Sequence, residues 1–194
     1  IQERTLAMAM KSTIWLFDPR PDLQNIVDMV EQSFELSEAS NTPVMMQLRI
    51  RSCHVQGEFI AKNNRAPKVG TKNRFTDPAV FDYDRLAHPP VTFSHEKLKV
   101  SARLPAAQRY IVEHGLNELI EGEQKSVGII VQGGIYNILM RRLQVMGLAD
   151  AFGNSKIPVL VLNVTHPLVP DQITDFCAGK NAVLMVEEGN PEFM

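Results

Sequence analysis

The sequence is poor in cysteine, which limits the disulfide and metal chemistry open to it. Of its 194 residues only two are cysteines, Cys53 and Cys177, and neither belongs to a C-x-x-C pair. Two thiolates are too few for a cysteine-ligated iron–sulfur cluster, and no set of Cys and His residues has zinc-like spacing. Both cysteines are therefore predicted to be free thiols in a reducing compartment, which favours a cytoplasmic location.

The sequence also lacks a basic surplus and any long apolar run. Its formal net charge of -2 at pH 7 gives no support to nucleic-acid binding, which usually shows as an excess of Lys and Arg. No stretch approaches the roughly 18 consecutive apolar residues of a membrane span. The hydrophobic share of 44% and the charged share of 22% are ordinary for a globular protein. We therefore expect a real hydrophobic core and neither a nucleic acid nor a membrane as partner.

The two ends of the sequence have the character of internal segments. There is no initiator Met, residues 3–10 have the composition of the middle of a helix, and residues 187–194 directly follow an apolar run. Complete proteins more often begin and end in polar, loosely ordered residues. We therefore expect the chain to be an internal fragment of a longer protein.

Residues 1–50 predict a strand, a helix and a strand. Residues 12–17 are β-branched and aromatic and end in a Pro-rich exit at 18–21. Asp22 can cap a helix of about 18 residues, and residues 44–50 have the pattern of a second strand. This order indicates a parallel βαβ unit with a right-handed crossover. The apolar stripe of the helix is predicted at Leu23, Ile26, Val27, Val30, Phe34 and Leu36.

Residues 51–123 are rich in proline and polar residues and show one helical pattern, at 106–119 around Tyr110. Because so long an irregular stretch is rare inside a compact domain, it is predicted to be an ordered linker. From residue 124 onward, apolar strands at 126–131, 157–164 and 181–186 alternate with helices at 135–148 and from 170. Strands without a polar face are typical of a parallel sheet with helices on both faces. The fold class is therefore α/β, ending in a three-layer domain.

Two clusters of charge are the candidate sites. Arg49, Arg51 and Cys53 are predicted to share one side at the end of the second strand. The two arginines could hold a carboxylate or phosphate, or form salt bridges to other domains, which we favour. Glu187 and Glu188 follow the last strand, where open α/β sheets place ligands, but neighbouring residues face opposite ways, so an acid–base dyad is not expected. Pairing with cations at a domain or subunit contact is favoured over ligand binding.

Other motifs carry weaker signals. Arg141–Arg142 could supply one cation to the two glutamates. Gly133–Gly134 lies between a predicted strand and helix, where phosphate-binding loops often lie. It has neither the G-x-G-x-x-G spacing nor a Walker Gly-Lys-Thr, so a tight turn is the better interpretation. The scattered histidines have no ligand pattern, and no catalytic residue and no metal ligand is assigned. These histidines include His88, His95, His114 and His166.

Several segments resemble a known family. Residues 19–21 with the helix that follows, and then 34–46, resemble the later part of the pyrimidine-binding domain of 2-oxoacid:ferredoxin oxidoreductases. Residues 48–55 look most like the indolepyruvate:ferredoxin branch. Residues 125–194 resemble the next domain of that family, which is similar to the C-terminal domain of transketolase. The resemblance implies three parts: residues 1–50 as the end of a pyrimidine-type domain, 51–123 as the linker, and 124–194 as a truncated transketolase-C-like domain.

The resemblance also implies a reaction in the full enzyme. Thiamine diphosphate with Mg²⁺ would decarboxylate an aryl pyruvate, iron–sulfur clusters would pass electrons to ferredoxin, and coenzyme A would take the acyl group. The activating glutamate, the Gly-Asp-Gly…Asn motif and the cluster cysteines of that family are absent here, so the fragment is expected to be inactive and to bind no cofactor. Expected partners are the remaining domains, ferredoxin and a second copy of the chain. A two-stranded unit would leave Trp15 uncovered, so we expect its cover to come from residues 125–194, from the linker or from a second copy, and we expect an oligomer in solution. The alternative is a self-contained α/β binding or assembly module without redox function.

Overall fold

The computed structural model describes residues 4–64 and 80–188. Residues 65–79 of the predicted linker and residues 189–194 of the predicted last domain lie outside the described residues, as do residues 1–3. The described part is mixed α/β, with a three-stranded and a four-stranded sheet. Within that part no helix has the length and apolar character needed to cross a bilayer.

The predicted βαβ unit is confirmed as the centre of the first sheet. Helix α1 (Thr5–Ser12) precedes β1 (Trp15–Phe17), α2 (Leu23–Ser40) and β2 (Val44–Met46), and the two strands pair in parallel. The carboxylate of Asp22 accepts the backbone N–H of Asn25 at 2.9 Å, which is the predicted N-cap of α2. The helix ends at Asn41, which adopts the left-handed conformation with φ 47°.

The segment between the two units is more regular than predicted. After α3 (Ile50–Cys53) and a short 3₁₀ turn (Tyr83–Arg85), residues 91–113 form one helical run of α4 (Val91–Leu98), a π-helical turn (Lys99–Arg103) and α5 (Leu104–Glu113). The helix predicted around Tyr110 is confirmed as α5, although it ends at Glu113 and not at residue 119. The prediction of little other regular structure was wrong for residues 91–103. Helix α4 has no buried residue, so its sequence has no amphipathic period to reveal it.

The second sheet has four strands, β3 (Glu118–Ile120), β4 (Val127–Gln132), β5 (Val159–Leu162) and β7 (Ala182–Val186), in the order β3-β5-β4-β7. Strands β4, β5 and β7 pair in parallel, as predicted, with α6 (Tyr136–Val145) and α7 (Pro170–Cys177) between them. One antiparallel edge strand, β3, was not predicted. The core residues on one sheet face pack with α6 and those on the other face with α7, so the sheet is the middle of three layers. Similarity to the transketolase C-terminal domain stays a prediction.

The strand predicted at 157–164 is divided between the two sheets. After β5 the chain passes Asn163 and continues as β6 (Val164–His166), which pairs antiparallel with β1. The first sheet therefore has the order β2-β1-β6. Trp15 and Phe17 are 0% exposed, and they pack in one cluster with Ile111 of α5 and Val164 of β6. Of the three sources of cover that we expected, the linker contributes α5 and residues 125–194 contribute β6. An oligomer in solution stays a prediction.

The face that α2 presents to the core differs from the predicted stripe. Met29, Leu36 and Ser40 are its buried residues, and the hydroxyl of Ser40 accepts the indole N–H of Trp15 at 2.8 Å. The stripe prediction was right for Leu36 but wrong for three residues that are exposed. These are Val27 at 38%, Val30 at 44% and Phe34 at 71%.

Candidate functional site

Polar side chains from both sheets meet where their parallel strands end. Asp18 follows β1, Arg49 follows β2, Gln132 is the last residue of β4, and Glu188 follows β7. Asp18, Arg49 and Gln132 are 1%, 8% and 4% exposed. The carboxyl ends of parallel strands are the usual place for ligands in open α/β sheets, so this polar cluster is the candidate site.

The guanidinium of Arg49 is at the centre of the cluster. Its Nε donates to both carboxylate oxygens of Asp18 at 3.2 and 3.1 Å, and its Nη2 donates to Asp18 Oδ2 at 2.7 Å. The two side chains are 9% and 2% exposed. A buried charge is tolerated when it is paired and hydrogen-bonded, and here the fork of the guanidinium meets the fork of the carboxylate.

The same guanidinium reaches the second sheet. Nη2 of Arg49 also donates to Gln132 Oε1 at 2.7 Å, and Nη1 donates to Glu188 Oε2 at 3.2 Å and to the Glu188 carbonyl at 3.4 Å. Gln132 Oε1 in turn accepts the backbone N–H of Glu188 at 3.0 Å. One cation therefore joins the end of β1 in the first sheet to the ends of β4 and β7 in the second.

The outer side of the cluster is an exposed ion pair. Arg51 Nη1 donates to Glu188 Oε1 at 2.8 Å, with side-chain exposures of 57% and 44%. The hydrogen bond and charge of Arg51, together with the charge of Arg49, lower the pKa of Glu188. Glu188 is therefore held as a carboxylate, and its two oxygens bind two different arginines.

The glycine turn after β4 lets the cluster form. A Cβ at Gly134 would lie 2.3 Å from Asp18 Oδ1 and 2.6 Å from Arg49 Nε, and a Cβ at Gly133 would lie 2.2 Å from the Asp18 carbonyl. The space beside this turn is thus filled by the protein itself. The two glycines permit close approach of Asp18 and Arg49, and the turn is not an open phosphate loop.

A second polar junction lies where β5 becomes β6. Asn163 is 1% exposed; its Oδ1 accepts the backbone N–H of Arg20 at 2.8 Å, and its Nδ2 donates to Glu118 Oε1 at 2.8 Å. Arg20 Nε lies 3.2 Å from the same Glu118 oxygen. Side-chain hydrogen bonds therefore fix the point at which the chain leaves one sheet for the other.

The structure places the four predicted site residues at the same end of the sheets. Arg49, Arg51 and Glu188 are joined by hydrogen bonds, and Glu187 is half-buried next to Glu188. The predicted strand geometry was wrong, because β2 ends at Met46 and Arg51 lies on the short helix α3. The carboxylate of Glu188 binds Arg49 and Arg51, and the suggestion that Arg141–Arg142 supplies one cation to the two glutamates stays a prediction.

The sequence interpretation missed Asp18 and Gln132. Asp18 was treated as part of a Pro-rich exit and Gln132 as part of a turn. The available signal was position, since each polar side chain directly follows or ends a buried strand. Across the described ranges, 4–64 and 80–188, no group of three or more His, Cys, Asp or Glu residues could hold a metal ion.

Comparison with known proteins supplies the relatives of the chain. No protein-family model matches it. It is 27% identical over 173 residues to indolepyruvate oxidoreductase subunit IorA of Methanothermobacter thermautotrophicus, covering 88% of this chain and 26% of that protein. The same subunit of Methanothermobacter marburgensis is 28% identical over 166 residues, covering 85% and 25%. That of Pyrococcus abyssi is 27% identical over 191 residues, covering 98% and 28%. The chain thus spans about a quarter of the length of these curated relatives.

Proposed function

We propose that the chain is part of a 2-oxoacid:ferredoxin oxidoreductase, because it is similar to the indolepyruvate oxidoreductase IorA subunits over most of its length. The substrate of the complete enzyme is indolepyruvate or another aryl pyruvate, which is oxidatively decarboxylated to an acyl-coenzyme A. The similarity to the three subunits covers 85% to 98% of this chain, and it is the observation that carries the proposal. The free state of Cys53 and Cys177 supports a reducing, cytoplasmic location.

The cofactors of the proposed reaction do not fit the residues described. Thiamine diphosphate is held through Mg²⁺ and a diphosphate loop, yet the described residues offer no cluster of metal ligands. The Gly133–Gly134 turn is filled by Asp18 and Asn163. The two cysteines of the sequence are too few for an iron–sulfur cluster. We therefore assign thiamine diphosphate with Mg²⁺, the clusters and coenzyme A to other parts of the complete protein, and expect this chain alone to be inactive.

Within that enzyme, the role of this chain is structural, and the Arg49 cluster holds its two sheets together. Arg49 binds Asp18 of the first sheet and Gln132 and Glu188 of the second with one guanidinium. All of its N–H groups point at these protein acceptors, so the cluster has the chemistry of a structural ion network and not of a ligand site. The partners of the chain are the remaining domains of the same enzyme. Ferredoxin is the external electron acceptor of the complete enzyme.

The test is an assay of the full-length protein together with its partner subunit. We expect coenzyme A-dependent reduction of ferredoxin with indolepyruvate, and a lower rate with pyruvate. Absence of reduction with every aryl pyruvate tried, in a preparation loaded with thiamine diphosphate and clusters, would contradict the proposed reaction. The 194-residue chain assayed in parallel under the same conditions should show no activity.

A second candidate is a self-contained binding or assembly module without a redox function. One observation favours it: the core around Trp15 is closed by the chain's own α5 and β6, so the chain completes its own first sheet. A cooperative unfolding transition of the purified chain is expected under both candidates. Only the redox candidate predicts loss of indolepyruvate oxidation when the segment is deleted from the full-length protein and restoration when it is returned.

A further inference from the structure

We draw no further inference here: the strongest candidate, the cavity of about 510 Å³ beside α7 that Leu119, Phe176 and Lys180 help to line, lies at the amino-terminal ends of the parallel strands of the second sheet, and nothing in the part of the chain that the structure describes shows what covers or occupies it.

Discussion

Replacing Arg49 by methionine removes the cation that neutralises a buried carboxylate. The side chain of Asp18 is 2% exposed and that of Arg49 is 9% exposed, so neither charge is solvated by water. Removing one partner of such a pair typically lowers the free energy of unfolding by about 3–5 kcal/mol, because the other charge is left buried. Urea denaturation, followed by Trp15 emission and by circular dichroism, measures this loss.

Arg51→Met is the matched control in the same cluster. Its side chain is 57% exposed and its partner Glu188 is 44% exposed, so the loss should be under about 1 kcal/mol. Asp18→Asn added to Arg49→Met should recover part of the stability, because no unpaired charge then remains in the interior. An Arg49→Met variant as stable as Arg51→Met would refute the role assigned to the buried pair.

Three further perturbations test the packing around the two sheets. Ser40→Ala leaves the buried indole N–H of Trp15 without its acceptor, and urea denaturation should show a loss of about 1–3 kcal/mol. Gly134→Ala places a Cβ 2.3 Å from a carboxylate oxygen of the ion network and should cost at least about 1–3 kcal/mol, whereas Gly57→Ala, with its nearest atom at 3.5 Å, should be tolerated. Burial lowers the pKa of His166, so the unfolded chain binds more protons and the free energy of unfolding should fall as the pH drops below about 6.5. His166→Phe should flatten that dependence in urea titrations at several pH values, and an unchanged slope would contradict it.

The local elements of the fold were predictable because their signals are local. The Asp22 cap and the apolar runs on either side define β1, α2 and β2 without knowledge of the rest of the chain. The parallel pairing of β4, β5 and β7 followed from apolar strands separated by helices. These features depend on residues a few positions apart, which sequence patterns report well.

The parts that failed depend on contacts that are distant in sequence. Residues 157–164 form one apolar run. Nothing in that run shows that β6 pairs with β1. The hydrogen bond from the Thr165 hydroxyl to the Leu16 carbonyl, for example, joins residues 149 positions apart. The buried side of α2 was misjudged because Val27, Val30 and Phe34 are apolar but point outward. A hydrophobic stripe predicts the buried side of a helix only when the apolar residues are confined to that side.

The candidate site was predicted in part, for the same physical reason. Arg49, Arg51 and Glu188 stand out as charges at strand ends, but their distance in sequence hides which charges meet. Asp18 and its partner Arg49 are 31 positions apart in the sequence, and Arg49 and Glu188 are 139 positions apart. Gln132 was overlooked because a neutral amide carries no charge signal, although its Oε1 accepts from both Arg49 and the Glu188 backbone.

A polar cluster at this position does something that an apolar one would not. Apolar contacts between two sheets are non-directional, and aliphatic side chains of similar volume can exchange places at small cost. The guanidinium of Arg49 is planar, with its N–H groups in fixed directions, and it meets acceptors from β1, β4 and β7 at 2.7 to 3.2 Å. All three acceptors are satisfied in a single relative orientation of the sheets. We therefore expect the network to contribute more to defining the angle between the sheets than to net stability, since desolvation offsets much of the energy of a buried ion pair.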